Sequence, residues 1–434
     1  MSGSSRRLRC FLGAFGQPGH AFPMLALGAR LAARGHDVTY ETWSRWRSHV
    51  EAAGMRFLAA PEYPVFPTPE QPASPYEAVV MATGATRPFV AELAPDVVVH
   101  DILTLAPAMA AELEGIPVAT LIPHLYPVGI PGFPPWASGM LPPRTARGRR
   151  RWELLGRALE GGLRRGREEL NATRARLGLA PVERVHGGLS DRLCIVGTFP
   201  QLEYPRAWPE EAHVVGPLLW EPPFHRTEPP PGDDPLVLIA PSTAQDPKQS
   251  LLQAAVKGLA RERVRVLATS NRKPLPAPLK VPANGRLVEW ISYAQAMPEC
   301  SLVVCHAGHG TLARALACGC PVVAVAHSGD MPENAARVEW AGVGVRLPWR
   351  LLGPRTVGLA ASRALSDRSF AARAGKLAAW GAVNDGASRA ASLVEELARG
   401  GPVRRRESCV TAHARDRPLD AARSGRGAGL SPSR

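Results

Sequence analysis

Short apolar runs ending in glycine or proline alternate with longer segments of helical spacing, and this alternation constrains the fold more than any other feature. The run "LRCFLGAF" (8–15) reads as a buried strand. "PGHAFPMLALGARLAARGHDVTYET" then supplies a helix stopped at Gly35 and a second strand at Asp37–Thr42. "PDVVVHD" (95–101) reads as a strand, "LAPAMAAELEG" as a helix and "IPVATLI" (116–122) as another strand. Residues 144–178 read as a long Arg-rich helix, followed by "DRLCIVG" (191–197) as a strand. Continuous apolar strands between helices argue for a parallel sheet covered on both faces.

The pattern breaks at "WEPPFHRTEPPPGDD" (220–234), a proline-stiffened stretch without period, and then restarts. Strands are expected at 235–243, 264–270, 285–291, 300–308 and 320–326 and in "GVGVRLP", with helices between them. A last helix is expected over 385–400 with Asp385 as its N-cap. The chain of 434 residues thus divides into two doubly wound α/β units. The boundaries are 1–219, a linker at 220–234, and 235–400. The last helices are expected to pack back on the first unit, and 401–434 to form a disordered basic tail. Ligands of such folds sit beyond the C-terminal strand ends, so the cleft between the units is the expected site.

The formal charge of +14 is concentrated in two places. Residues 144–176 carry eleven Arg against four acids, and residues 401–434 carry eight Arg against three. No aromatic residue interleaves the tail and no nucleic-acid-binding motif accompanies it, so no nucleic-acid partner is expected. A solvated helix face and a free tail account for the excess, with membrane contact as the less favoured alternative. The seven cysteines are scattered. Neither the Cys318/Cys320 spacing nor the Cys300/Cys305 spacing is a zinc pattern, so they read as small apolar fillers and no metal site is expected. The N-terminal "MSGSSRRLRCFLGAFGQPGH" mimics a signal peptide but breaks at Gln17-Pro18-Gly19-His20. No run approaches eighteen apolar residues, so a cytoplasmic location is expected.

The stretch "CHAGHGTLARALACGCPVV" (305–323) places two histidines, glycines and a threonine where a buried strand gives way to a helix. Such a turn aims backbone N–H groups and the positive end of the helix dipole outward, where an anion can be held. Gly308 and Gly310 permit close approach, Thr311 adds a hydroxyl, and His306 offers an imidazole donor. Neither a P-loop nor a G-x-G-x-x-G fingerprint is present.

In this setting the segment "RLVEWISYAQAMPECSLVVCHAGHGTLARALACGCPVVAVAHSGDMPENAARVEWAGVGV" resembles the donor-binding signature of GT-B-fold, family 1 glycosyltransferases, the group that includes bacterial macrolide and antibiotic glycosyltransferases. "GHAFPMLALGARLAARGHDVTY", "PDVVVHD" and "VVGPLLW" match the same family in order, so the resemblance spans roughly residues 8–400. It implies an α/β GT-B fold, two Rossmann-like domains facing a cleft. It further implies His20 as general base and Asp101 as the carboxylate that orients it. Histidine has the right basicity to take a proton from an attacking hydroxyl. On the donor side it implies that the nucleotide base packs on Trp290 and meets the Ile291 backbone. His306, Gly308, Gly310 and Thr311 would hold the diphosphate with Ser242 or Thr243, and Asp330 would bind sugar hydroxyls. The implied reaction is an inverting, metal-independent displacement with a nucleotide sugar as co-substrate and no cofactor.

Several positions depart from the family pattern. Met331 stands in place of the usual Gln, which suits a donor with fewer hydroxyls, such as a deoxysugar. Arg314 stands where plant members carry a ribose-binding Glu, which favours dTDP over UDP; Arg314 would contact a phosphate or face solvent. The Pro- and aromatic-rich segments 60–76 and 123–143 lie where the family builds its acceptor pocket. They nominate Phe66, Tyr76, Tyr126, Phe133 and Trp136 as contacts to a small hydrophobic aglycone, presented through a hydroxyl, nitrogen or carbon. A monomer or homodimer is expected. The competing readings are a membrane-surface lipid glycosyltransferase and a non-catalytic partner protein of the same fold.

Overall fold

Two parallel sheets organise the computed structural model, which describes residues 6–61, 75–243 and 245–401. The first holds β1 (Arg9–Gly13), β2 (Asp37–Thr42), β3 (Arg56–Ala59), β4 (Val97–Asp101), β5 (Val118–Ile122), β6 (Cys194–Val196) and β7 (Ala212–Val214). Its strand order is β3-β2-β1-β4-β5-β6-β7. The second holds β8 (Leu236–Ala240), β9 (Arg265–Thr269), β10 (Gly285–Val288), β11 (Leu302–Cys305), β12 (Val322–Ala326) and β13 (Gly344–Pro348), in the order β10-β9-β8-β11-β12-β13. The central strands β4, β8 and β11 are buried at every residue. Helices cover both faces, so β8 and β11 read as unbroken apolar runs, and β4 is apolar up to its polar end at His100 and Asp101.

The helices are α1 (Pro18–Ala33), α2 (Arg47–Ala52), α3 (Pro75–Leu93), α4 (Ala106–Leu113), α5 (Ala146–Arg176), α6 (Ser250–Leu259), α7 (Tyr293–Ala296), α8 (His309–Ala317), α9 (Met331–Ala341), α10 (Pro354–Ser366), α11 (Arg368–Val383) and α12 (Gly386–Ala398). Pro18 opens α1, where its missing N–H has no intrahelical partner to lose. Asp385 caps α12, accepting a hydrogen bond from the Ser388 amide at 3.0 Å. Residues 215–230 form no regular element, since seven prolines between 217 and 235 remove the donors a strand or helix needs.

Helix α12 crosses to the first sheet. Ala390, Leu393, Val394 and Leu397 share one core with Leu25, Leu27 and Leu31 of α1. Glu395 there accepts from Arg34 at 3.1 Å and pairs with His36 at 3.0 Å. A second tie runs through Arg337 of α9. Its guanidinium reaches Glu333 at 2.8 Å, Glu203 at 3.2 Å and the Leu202 carbonyl at 2.9 Å, and it lies 3.3 Å from the Tyr204 ring centre. Burial raises the Glu333 carboxyl above its usual range despite this cation. The six described cysteines are free, and burial pushes the Cys10, Cys305 and Cys320 thiols up to about 12, the behaviour of inert core residues. The tail 402–434 lies outside the described residues.

Candidate active site at two facing switch points

In the first sheet the strand order reverses between β1 and β4, so the chain leaves their C-terminal ends in opposite directions and opens a crevice. The register that pairs Gly13 with His100 brings the start of α1 beside the end of β4. His20 in the first turn of α1 and Asp101, the last residue of β4, meet there with Nδ1 2.8 Å from Oδ2. The Asp101 side chain is wholly buried, and its other oxygen accepts from the Leu103 amide at 3.0 Å, so the carboxylate is fixed. With Nδ1–H donating to Asp101, Nε2 of a neutral His20 is left as a proton acceptor. Burial opposes a charge on this imidazole, but the charge and hydrogen bond of Asp101 outweigh it. Asp330 adds to them, so the His20 pKa lies above the usual value. Phe15 stands edge-on to His20, and Trp43 packs on Phe15 at 4.9 Å. Only glycine fits at position 16, where a Cβ would come within 2.1 Å of the Trp43 ring.

The second sheet repeats the device between β8 and β11, where Cys305 pairs with Ala240. Ser242 and Thr243 follow β8, and residues 306–311 follow β11. His306 Nδ1 donates to the Ala240 carbonyl at 3.3 Å. Its Nε2 lies over Gly308, which caps α8. The amides of His309, Gly310 and Thr311 begin the helix and have no intrahelical acceptor. A Cβ on Gly310 would meet nothing within 4 Å, so the space before these amides is open. Backbone donors, an imidazole and an open approach together make a cradle for an anion.

The cradle is backed by residues that sequence reasoning missed. Ala307 adopts φ 65°, and its carbonyl is held by Asn334 Nδ2 at 2.9 Å. Asn334 also donates to Asp330 Oδ2 at 2.8 Å, which fixes that carboxylate at the start of α9. Of the seven non-glycine residues with positive φ among those described, five (Asp246, Gln249, Asn271, Arg272 and Ala307) lie in loops beyond the C-terminal ends of the second sheet. Strain of this kind concentrates at ligand sites. Ser242 Oγ accepts from the Gln245 amide at 2.8 Å, and Thr243 is exposed. Lys273 donates to the Gln245 carbonyl at 2.8 Å and stands near enough to His306 to oppose its protonation. Burial is the larger cause, and it holds the His306 pKa below the usual histidine range.

The two crevices face each other. Asp330 of the second unit acts electrostatically on His20 of the first. His124, just beyond β5, feels Asp330, His20 and Asp101, and its own charge would oppose one on His309. Burial lowers the pKa of both His124 and His309, the latter to about 4. No motif singled out His124, whereas His309 was visible in the sequence and had no assigned task.

On the base side, Trp290 is half-buried and the Arg272 guanidinium stands 4.9 Å from its ring centre. The Ile291 side chain is buried, and Ser292 caps α7. Arg314 neither faces solvent nor reaches the cradle. It donates to the Trp220 carbonyl at 3.1 Å and pairs with Glu221 at 3.7 Å, while Glu221 accepts from the Tyr293 and Ala294 amides at 2.8 Å each. The linker thereby competes for this cation, because it carries the nearest carboxylate.

Of the acceptor candidates, Trp136 lies beside His124, with ring centres 5.7 Å apart. Phe133 lies against Tyr204 and Arg149. Tyr76 sits half-buried on α3 with Glu169 of α5 as its charged neighbour. Tyr126 must be corrected: it is 3 % exposed and packs with Trp208, Cys194 and Ile122 in a separate core, with Arg206 over its ring. Its side chain is a packing residue. Phe66 lies outside the described residues.

Residues 252–397 match the family model described as "Erythromycin biosynthesis protein CIII-like, C-terminal domain". The chain is 29 % identical to 4'-demethylrebeccamycin synthase of Lentzea aerocolonigenes, over 87 % of this chain and 97 % of that one. It is 29 % identical to O-mycaminosyltylonolide 6-deoxyallosyltransferase of Streptomyces fradiae, over 94 % and 99 %. The solved structure of glycosyltransferase VinC in complex with dTDP superposes with a TM-score of 0.67 at 18 % identity, covering 91 % of this chain and all of that one, and so shares the fold. The matched C-terminal domain, the full-length relatives and the two-sheet architecture agree: the chain has the GT-B fold and is similar along its length to glycosyltransferases of the macrolide and antibiotic group.

Proposed function

We propose that this enzyme transfers a sugar, in particular a deoxysugar, from a dTDP donor to a hydroxyl of a small hydrophobic natural product, with inversion at the anomeric carbon. The observation that carries the reading is the 2.8 Å contact between His20 and Asp101 across a cleft from the α8 cradle. His20 Nε2 takes the proton of the acceptor hydroxyl as its oxygen attacks the anomeric carbon. Asp101 stabilises the imidazolium that results. The bond from that carbon to the diphosphate breaks on the opposite face, and the departing charge falls on the amides of α8, His306 and Lys273. The amides are fixed before the reaction and His306 joins them once protonated, which supplies the compensation in this reading without a metal ion.

Two features support the donor assignment. Arg314 is engaged by the linker and leaves no carboxylate at its position for a ribose diol. Met331 offers no hydrogen bond to a sugar hydroxyl, so a sugar lacking that hydroxyl loses nothing there. The 6-deoxyallosyl group in the name of the Streptomyces fradiae relative and the dTDP held by VinC point the same way. A thermal-shift comparison of dTDP, UDP and GDP tests it: dTDP should raise the melting temperature most. A larger shift with UDP would overturn the donor assignment and leave the dyad untouched.

A further inference from the structure

Helix α5 runs for 31 residues, and the described side chains of its N-terminal two-thirds are mostly exposed. From 144 to 165 every described side chain is exposed except Trp152, and the only other partly covered positions are Gly148 and Gly156. At 3.6 residues per turn, Arg147, Arg150, Arg151, Arg157 and Arg165 all fall within about 60° of Leu154 around the helix axis. No acidic residue between 146 and 167 falls in that sector. Leu154 is 60 % exposed at its centre, and Leu155, 43 % exposed, flanks it. Among the described residues none of these five guanidinium groups has a carboxylate partner, unlike Arg174 with Glu112 and Arg176 with Glu77 further along the helix.

We propose that this face of α5 is a docking surface for an anionic phospholipid bilayer, on which the helix lies parallel to the membrane plane. Five arginines in one sector match the negative headgroups of such a surface, each contributing independently of headgroup identity. The leucines decide between polyanions. A leucine among arginines gains nothing against a nucleic-acid backbone, which is bound through cations and stacking aromatics. At a lipid interface it is buried in the acyl boundary, the arrangement of interfacial amphipathic helices. No helix of the described residues is long and apolar enough to cross a membrane, so the contact is peripheral.

The position of α5 gives the contact a use. Its N-terminal end holds the loop that carries Phe133 and Trp136: Arg149 lies over the Phe133 ring at 5.9 Å and covers the α-carbon of Gly132. Trp136 in turn stands beside His124 at the cleft. Docking through α5 brings this loop to the bilayer, the phase in which a hydrophobic acceptor accumulates. That consequence rests on the proposed acceptor class, whereas the docking itself does not.

The test is co-sedimentation of the full chain with phosphatidylcholine vesicles, with and without phosphatidylglycerol. Binding is expected only to the anionic vesicles and is expected to disappear in high salt. Full-chain Arg150→Gln/Arg151→Gln/Arg157→Gln should bind roughly a hundredfold more weakly. Leu154→Ser should bind about tenfold more weakly while keeping the melting temperature and dTDP shift of the parent. Arg404→Gln/Arg405→Gln/Arg406→Gln, in the basic tail, should bind as the parent does. No binding to anionic vesicles at low salt would overturn the proposal. So would binding that survives the helix variants but is lost in the tail variant. Equal binding by the parent and Leu154→Ser would also overturn it, because the contact would then be that of a generic polyanion.

Discussion

The imidazole of His306 lies across the α-carbon of Gly308, so that a Cβ at position 308 would stand 2.3 Å from Nε2. The two glycines of this turn therefore serve different ends. Gly308 makes room for the histidine, and Gly310 keeps the helix N-terminus open. Gly308→Ala should displace the imidazole and weaken dTDP binding by about 1–3 kcal/mol, the usual cost of overpacking. Isothermal titration of the variant checks this, and an unchanged affinity would show that His306 has no part in the cradle.

His306 also links donor binding to pH. Its pKa lies below the usual range, and Nδ1–H already donates to Ala240, so Nε2 is an acceptor before a ligand arrives. A diphosphate offers only acceptors, so His306 must take up a proton to bond it. The sign follows: affinity for dTDP rises as pH falls, by at most tenfold per unit for one proton. Titration in buffers of different ionisation enthalpy should report proton uptake in the parent and much less in His306→Gln.

The fold was largely legible because its strands are buried on both faces and appear as apolar runs between helices. β3 escaped notice because its apolar run, Phe57 to Ala60, is short and its end residues Arg56 and Ala59 are exposed. β7, three residues long, is too short to carry a period. At the site, His20 and Asp101 lie far apart in the chain, and only the parallel register of β1 and β4 brings them together. Their roles came from the resemblance, not from spacing. No motif marks Arg272 and Lys273 in "SNRKP", since nothing local shows that the loop folds back on Trp290 and the phosphate turn. Arg314 was misjudged because its partner Glu221 lies in the linker, and pairings across domains leave no periodic trace. Tyr126 was misjudged because an aromatic, proline-rich loop does not reveal which rings turn inward.

Arg337 joins Glu203 to Glu333 where none of the three is exposed to solvent. Arg337→Met removes the shared cation and leaves two buried carboxylates unpaired. The expected destabilisation is about 3–5 kcal/mol, read from urea denaturation. A loss below about 1 kcal/mol would mean that the carboxylates find other partners or protons.

His309 contributes an acid-labile element. Its folded pKa is depressed from 6.5 to about 4, chiefly by burial and then by His124. The unfolded chain takes up this proton near pH 6.5 and the folded chain does not. The contribution of the neutral imidazole is thus present above pH 6.5 and is lost as pH falls toward 4, amounting to about 3 kcal/mol. Glu41, raised to about 7 by burial, titrates with the opposite sign over much of this window. The effect is therefore isolated by comparison with His309→Gln: the stability difference between parent and variant should shift by about 3 kcal/mol from pH 7 to pH 4. A constant difference would contradict the assignment.

The central claim is that His20, oriented by Asp101, removes the acceptor proton. The direct measurement is the single-turnover rate of sugar transfer from the donor found by thermal shift, in the parent, His20→Ala and Asp101→Asn. The prediction is a loss of about 10²–10⁴-fold in both variants with dTDP affinity unchanged. Transfer at the parental rate by His20→Ala would contradict it.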